Sequence, residues 1–172
     1  FLTFEEIKQL SLNLPENVIS QQVAKMFLFS CYTGLSIANL LSLTFKQIEG
    51  DKVKFFREKT KTWHYVELSK TALALIGDTV NCQPSGNVFT TLDYHQSLYR
   101  LQKWGKQAGI QKKLKFHLGR HTFATLSLTQ GVYVYTVQKL IGHKKLATTQ
   151  IYAKVIDSAK RKAVDALPQL EL

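Results

Sequence analysis

A chain of 172 residues, 45% hydrophobic and 20% charged, has the size and balance of one globular domain, taken as 1–172, and a disordered or fibrous chain is excluded. Its net charge of +11 points to a polyanionic partner. A membrane role is excluded by the lack of any apolar run of about eighteen residues and of a basic-then-apolar leader, so a cytoplasmic location is expected.

The sequence begins at Phe1 and its one methionine is Met26, so a piece of a longer protein, with a further domain upstream, is expected. "LTFEEIKQL" offers Thr3 as N-cap with Glu6 three residues on, a capping box before a short amphipathic helix. Val18 to Tyr32 follows as a mostly buried helix with Ile19, Val23, Met26, Phe27 and Ser30 near one face, and Thr33-Gly34 stops it. Ser36 caps a third, short helix, "IANLLSL", ending near Thr44. "KQIEGDKVKFFREKTKTWHYVELS" reads as short antiparallel strands, turning at Glu49-Gly50-Asp51, with a third strand from about Trp63 to Leu68. Ser69 caps "KTALALIG", "DTVNCQPSGN" is a loop, and Leu92 to Gln107 is a helix with a Tyr/Leu/Trp face. From His117 onward the pattern is helical with breaks at Gly131 and Gly142. The predicted class is therefore mainly α with a small antiparallel β-sheet, without internal repeats.

The charge is unevenly spread. From Arg100 to Lys162 there are fourteen basic residues against one acid, Asp157, an asymmetry that fits nucleic acid better than a membrane surface because no continuous basic amphipathic helix dominates. A solvated basic face is the plainer alternative. Cys31 in a helix and Cys82 in a loop have no repeated spacing, which argues for neither a disulfide scaffold nor a zinc knuckle.

"FHLGRHTFATL" places His117, Arg120 and His121 on one helical face. Metal is the first ligand to eliminate: a zincin helix needs Glu after the first His, where Leu118 stands, and no third ligand lies near. A phosphate suits the set better, since Arg offers a planar fork and His can donate or shuttle a proton. A water-facing polar helix is the alternative. Downstream, "VQKLIGHKKLATTQIYAKV" gathers His143, Lys144 and Lys145 ahead of Tyr152. A tyrosine in such company can attack a phosphodiester and store its energy as phosphotyrosine, although for Tyr152 taken alone core packing is the commoner explanation.

Together "HLGRHTFAT", "LIGHKKLATTQIY" and "TGLSIANLLSLTF" resemble the catalytic domain of the tyrosine recombinases, the phage-integrase family, over most of the chain. Within that family they look similar to integrases of conjugative transposons. The resemblance implies the tyrosine recombinase catalytic-domain fold and a DNA strand transferase that integrates and excises a mobile element, working at the nucleoid without cofactor or metal. It implies a homotetramer on paired sites in double-stranded DNA, accessory DNA-bending proteins, and a separate N-terminal DNA-clamping domain absent from these 172 residues.

Residue by residue, Tyr152 matches the nucleophile that forms a 3′-phosphotyrosyl bond, and Arg120 the second catalytic arginine. His117 matches a proton-transfer partner, and His143 a phosphate donor. "REKTKTWHYVELS" resembles the family's lysine turn, which gives Lys59 as general acid and Lys61 as its fallback and DNA contact, with Lys144 and Lys145 as further DNA contacts. One position departs. The family pattern Thr-Gly-Leu-Arg here ends in Ser36, so the first catalytic arginine is missing. Three accounts compete: inactivation, leaving a DNA-binding module of the same fold; Ser36 acting as a neutral donor; or another arginine reaching the site. Arg57, two residues before Lys59 on a strand and so on the same side of the sheet, is the candidate for the third, with a plain surface arginine as the alternative. A type IB topoisomerase-like nicking activity would use the same residues.

Overall fold

Thr3 and Glu6 close the expected capping box on helix α1 (Phe4–Leu12): the Thr3 hydroxyl accepts from the Glu6 amide at 3.2 Å and the Glu6 carboxylate accepts from the Thr3 amide at 2.7 Å. In this computed structural model the described residues are 1–57, 61–77, 79, 82–89 and 93–142. They fall into two compact units, Phe1–Phe123 and the described part of Ala124–Leu172. No helix among them is long and apolar enough to cross a membrane.

The first unit is built around α2 (Val18–Thr33), which packs against α4 (Lys70–Ile76) and α5 (Tyr94–Gln107) and buries Val23, Ala24 and the run Met26 to Cys31. A helix apolar nearly all round has to be central. Asn17 caps its start, and Gly34, at φ 69°, closes its end in the left-handed conformation that glycine takes without a Cβ clash. Ile19, expected on the inner face, is instead exposed, because it lies in the first turn before the helix enters the core at Val23. Burial pushes the Cys31 thiol up, leaving it an inert core residue.

Ser36 caps α3 (Ile37–Leu41), shorter than expected because Ser42 ends it, and Thr44 then starts a 3₁₀ turn (Phe45–Gln47) whose Gln47 reaches back to the Thr44 amide at 2.9 Å. The sheet follows in the order β1 (Ile48–Glu49), β2 (Lys52–Arg57), β3 (Thr62–Glu67), all antiparallel. Its inner side buries Val53 against Val66, and its outer side exposes Phe56, Trp63 and Tyr65, with the Lys54 ammonium 4.8 Å from the Trp63 ring centre. Two residues of β1 are all that the first predicted strand amounts to. Ser69 caps α4 (Lys70–Ile76) as its position predicts.

Helix α5 (Tyr94–Gln107) starts later than the apolar pattern suggested, because the Asp93 carboxylate takes the His95 and Gln96 amides and fixes the cap there. Leu101 and Trp104 form its buried stripe, and the Trp104 indole donates to the Asn13 carbonyl at 2.7 Å, tying α5 to the α1–α2 connection. Tyr94 and Tyr99, expected on that stripe, face outward. Helix α6 (Phe116–Thr129) carries the histidine-arginine motif. In the second unit, α7 (Val134–Ile141) buries Val137 and Ile141 and ends at Gly142 in the left-handed conformation, the break the sequence marks.

Candidate active site

Arg120 sits in the second turn of α6, and what seats that turn is its buried side: Phe116, Gly119 and Thr122, three residues apart, so on one face. The Thr122 hydroxyl accepts from the Leu2 amide at 2.9 Å, and Phe116 lies 6.1 Å, centre to centre, from the Tyr94 ring. Gly119 lies against α2, where an added Cβ would stand 3.0 Å from the Cβ and Oγ of Ser30.

This seating brings the Arg120 guanidinium to the end of α2, where Nη1 donates to the Gly34 carbonyl at 2.7 Å. Arginine and carbonyl are 86 residues apart in sequence. A guanidinium at the C-terminal end of a helix meets the negative pole of its dipole, and a charge-assisted bond there is stronger than a neutral one. The bond uses one of five N–H donors that a guanidinium carries. Arg120 is thereby fixed beside the turn that leads, two residues later, to Ser36.

That turn is itself well braced. The Ser30 hydroxyl donates to the Leu35 carbonyl at 2.8 Å, and Thr33 donates to the Phe29 carbonyl at 2.8 Å and accepts from the Leu35 amide at 3.3 Å. Leu35 is buried and anchors the turn in the core. Ser36 is half-buried, and its Oγ accepts from the Asn39 amide at a long 3.5 Å, so as a cap it is weakly engaged.

His117 is exposed at the start of α6, and its ring meets that of half-buried His121 edge-on at 4.3 Å between centres. The expected common face of His117, Arg120 and His121 is thus present, on a helix whose opposite side is seated on α2. Lys61 is exposed, directly precedes β3 and adopts φ 51°, in the left-handed region. Arg57 ends β2, paired in register with Thr62. Lys59, His143, Lys144, Lys145 and Tyr152 lie outside the described residues, as does the C-terminal segment.

Sequence reading missed Ser30, Gly119 and the Gly34 carbonyl as parts of the site. Small residues at a helix crossing give no local signal, and a main-chain acceptor gives none at all. A groove of about 880 Å³ also opens between the 13–20 segment and α5, lined by His95, Tyr99, Arg100 and Lys103 among others. There Arg100 Nη1 donates to the Ser20 hydroxyl at 2.9 Å, at the start of the basic segment noted in the sequence.

The model of the phage integrase family matches residues 1–158. The tyrosine recombinase XerA of Saccharolobus solfataricus is 34% identical over 138 residues, 78% of this chain and 47% of that protein. The tyrosine recombinase XerC of Caldanaerobacter subterraneus subsp. tengcongensis is 31% identical over 183 residues, 98% of this chain and 51% of that protein. A crystal structure of XerA recombinase superposes with a TM-score of 0.75 at 26% identity, covering 99% of this chain and 66% of that one. The catalytic domain of bacteriophage HP1 integrase superposes at 0.73 with 22% identity, covering 98% and 95%, a likeness of fold. The chain spans about half the length of the first two relatives. Mainly helical with a small three-stranded antiparallel sheet, the chain has the fold of tyrosine recombinase catalytic domains, and by its matched residues it belongs to the phage integrase family.

Proposed function

We propose that this chain is the catalytic domain, 1–172, of a site-specific DNA recombinase that cuts and rejoins strands through a 3′-phosphotyrosyl intermediate. The observation that carries the reading is the Arg120 guanidinium, locked by the Gly34 carbonyl beside the Ser36 turn in a chain matched by the family model over 1–158. In the proposed step the Tyr152 phenolate oxygen attacks phosphorus, the bond from phosphorus to the 5′-oxygen breaks, and Lys59 gives that oxygen its proton. Rejoining reverses the step with a 5′-hydroxyl from the partner strand. Arg120 and His143 donate to the non-bridging oxygens, where charge gathers in the pentacoordinate state, and His117 assists proton transfer.

The missing first arginine is the special feature of this site. A serine hydroxyl is neutral and has one donor, so loss of the arginine slows cleavage by about 10²–10³-fold unless another group replaces it. Arg57, which ends β2 two residues before Lys59 in the sequence, is the proposed replacement. Lys61, Lys144, Lys145, Arg100 and Lys103 are proposed to neutralise DNA phosphates. Among structural neighbours, a XerH recombinase is bound to its difH substrate and a Tn1549 transposon integrase to transposon end DNA. By extension we propose double-stranded DNA as the partner, a tetramer on paired sites with accessory DNA-bending proteins, and integration and excision of a mobile element as the role.

A nicked suicide duplex tests the proposal. A covalent protein–DNA adduct that vanishes in Tyr152→Phe is the expected result. DNA binding without any adduct would instead favour the second reading, a binding module in which Ser36 marks lost catalysis.

A further inference from the structure

Glycine inside a helix is disfavoured relative to alanine, and Gly119 has no positive φ to justify it, so its reason is close approach. A Cβ there would meet Ser30 Cβ and Oγ, both at 3.0 Å, and the Phe27 carbonyl oxygen at 3.3 Å. The Phe27 carbonyl belongs to the α2 backbone and cannot turn aside as a side chain would. Ser30 is occupied on its other side as well: its Oγ donates to the Leu35 carbonyl at 2.8 Å, and its own carbonyl accepts from the Gly34 amide at 2.9 Å. One buried serine therefore touches both halves of the site, the helix that carries Arg120 and the turn that holds Gly34 and Ser36.

From this geometry we propose that Ser30 and Gly119 form a positioning pair that sets where the Arg120 guanidinium stands relative to the 34–36 turn, and so how well it meets the scissile phosphate. Neither residue touches DNA in this scheme. A side chain at 119 pushes α6 from α2 by a few tenths of an ångström. Arg120 is the next residue along, so the push stretches its 2.7 Å bond to Gly34 directly. A misplacement of about 1 Å in a catalytic group costs around 10²-fold in rate, so a shift of this size is expected to cost roughly tenfold. The inference deepens the recombinase reading and rests on it for its consequence, though not for its geometry.

The test compares single-turnover adduct formation and DNA affinity in wild type, Gly119→Ala, Ser30→Ala, Ser30→Gly, Arg120→Ala, Gly119→Ala/Ser30→Gly and Gly119→Ala/Arg120→Ala. Gly119→Ala is expected to cleave about tenfold slower with DNA affinity within twofold of wild type, because the perturbation acts on the reacting phosphate rather than on docking. Removing the two nearest opposing atoms in Gly119→Ala/Ser30→Gly brings the rate back to within about threefold of Ser30→Gly alone, the Phe27 carbonyl at 3.3 Å remaining as the weaker obstacle. In the Arg120→Ala background Gly119→Ala adds no further loss, the coupling that a route through Arg120 requires. If Gly119→Ala does not fold, Ser30→Ala, which only frees the Leu35 carbonyl, carries the test with an expected three- to tenfold slowing at unchanged affinity. A wild-type rate in the folded variants, or equal losses with and without Arg120, overturns the proposal. Should the wild type itself form no Tyr152-dependent adduct, the recombinase reading fails on its own, and the crystal structure of Gly119→Ala decides the positioning pair: an unchanged Arg120–Gly34 contact overturns it, and a lengthened one supports it.

Discussion

Replacing Arg120 separates what holds the site from what works in it. Its bond to the Gly34 carbonyl, 2.7 Å long and charge-assisted, joins α6 to the end of α2. A hydrogen bond to a charged group contributes about 1.5–3 kcal/mol, and for a half-buried guanidinium partly screened by water the expected loss in Arg120→Ala falls to about 1–2 kcal/mol. Removing a donor to the pentacoordinate phosphate costs about 10²–10³-fold in cleavage rate, or roughly 2.7–4 kcal/mol of transition-state stabilisation. The kinetic effect thus exceeds the structural one. Arg120→Lys keeps the charge but replaces a planar fork by a compact ammonium that cannot serve the Gly34 carbonyl and a phosphate together. It should therefore recover most of the stability and little of the rate. Urea unfolding gives the first quantity and single-turnover adduct formation on a nicked duplex the second. Cleavage by Arg120→Ala within about threefold of wild type would refute the placement of this arginine at the reacting phosphate, whatever happened to stability.

Other expectations are equally direct. Arg57→Ala should slow adduct formation by about 10²–10³-fold, and Ser36→Arg should restore it in that background; an unimpaired Arg57→Ala protein removes Arg57 as the substitute for the missing arginine. Trp104→Ala empties a buried site and orphans the Asn13 carbonyl, at a cost of about 4–5 kcal/mol in urea unfolding, whereas Trp104→Phe loses the 2.7 Å bond and some packing for about 1–2 kcal/mol. Glu6 gives a pH dependence: desolvation raises its carboxyl pKa, but the bonds from Lys112 at 2.6 Å and from the Thr3 amide outweigh it and leave the pKa below the usual carboxylate value. A depressed folded-state pKa gives stability that is complete above the unfolded pKa and is lost as pH falls through the folded one. Glu6→Gln should accordingly flatten the acid limb of a stability-against-pH curve, while costing about 0.5–1 kcal/mol at neutral pH because the pair lies at the surface, only partly exposed and screened by water.

The caps and stops were legible because their chemistry is local. Thr3 with Glu6, Ser36 and Ser69 each act within three residues, and Gly34 and Gly142 end helices through their own backbone conformation. The motif carrying Arg120 was legible for a different reason: its spacing resembles a family, and that resemblance already flagged Ser36. Side-chain faces were read less well. Ile19, Tyr94 and Tyr99 have the residue type of a core and stand outside it, since periodicity reports which residues share a face and not how far along the helix that face is covered.

The sequence by itself therefore determined the order of helices and strands, the capping residues, the basic character of the second half and the family, all of which follow from neighbours a few residues apart or from ordered motifs. Only the tertiary structure decided that Arg120 is held by a main-chain carbonyl 86 residues away, and that a serine in one helix and a missing Cβ in another set its position. The physical reason is that a helix crossing is chosen by packing. Ser30 and Gly119 are individually unremarkable, and acquire meaning when α6 lies on α2 closely enough that one methyl group would push them apart.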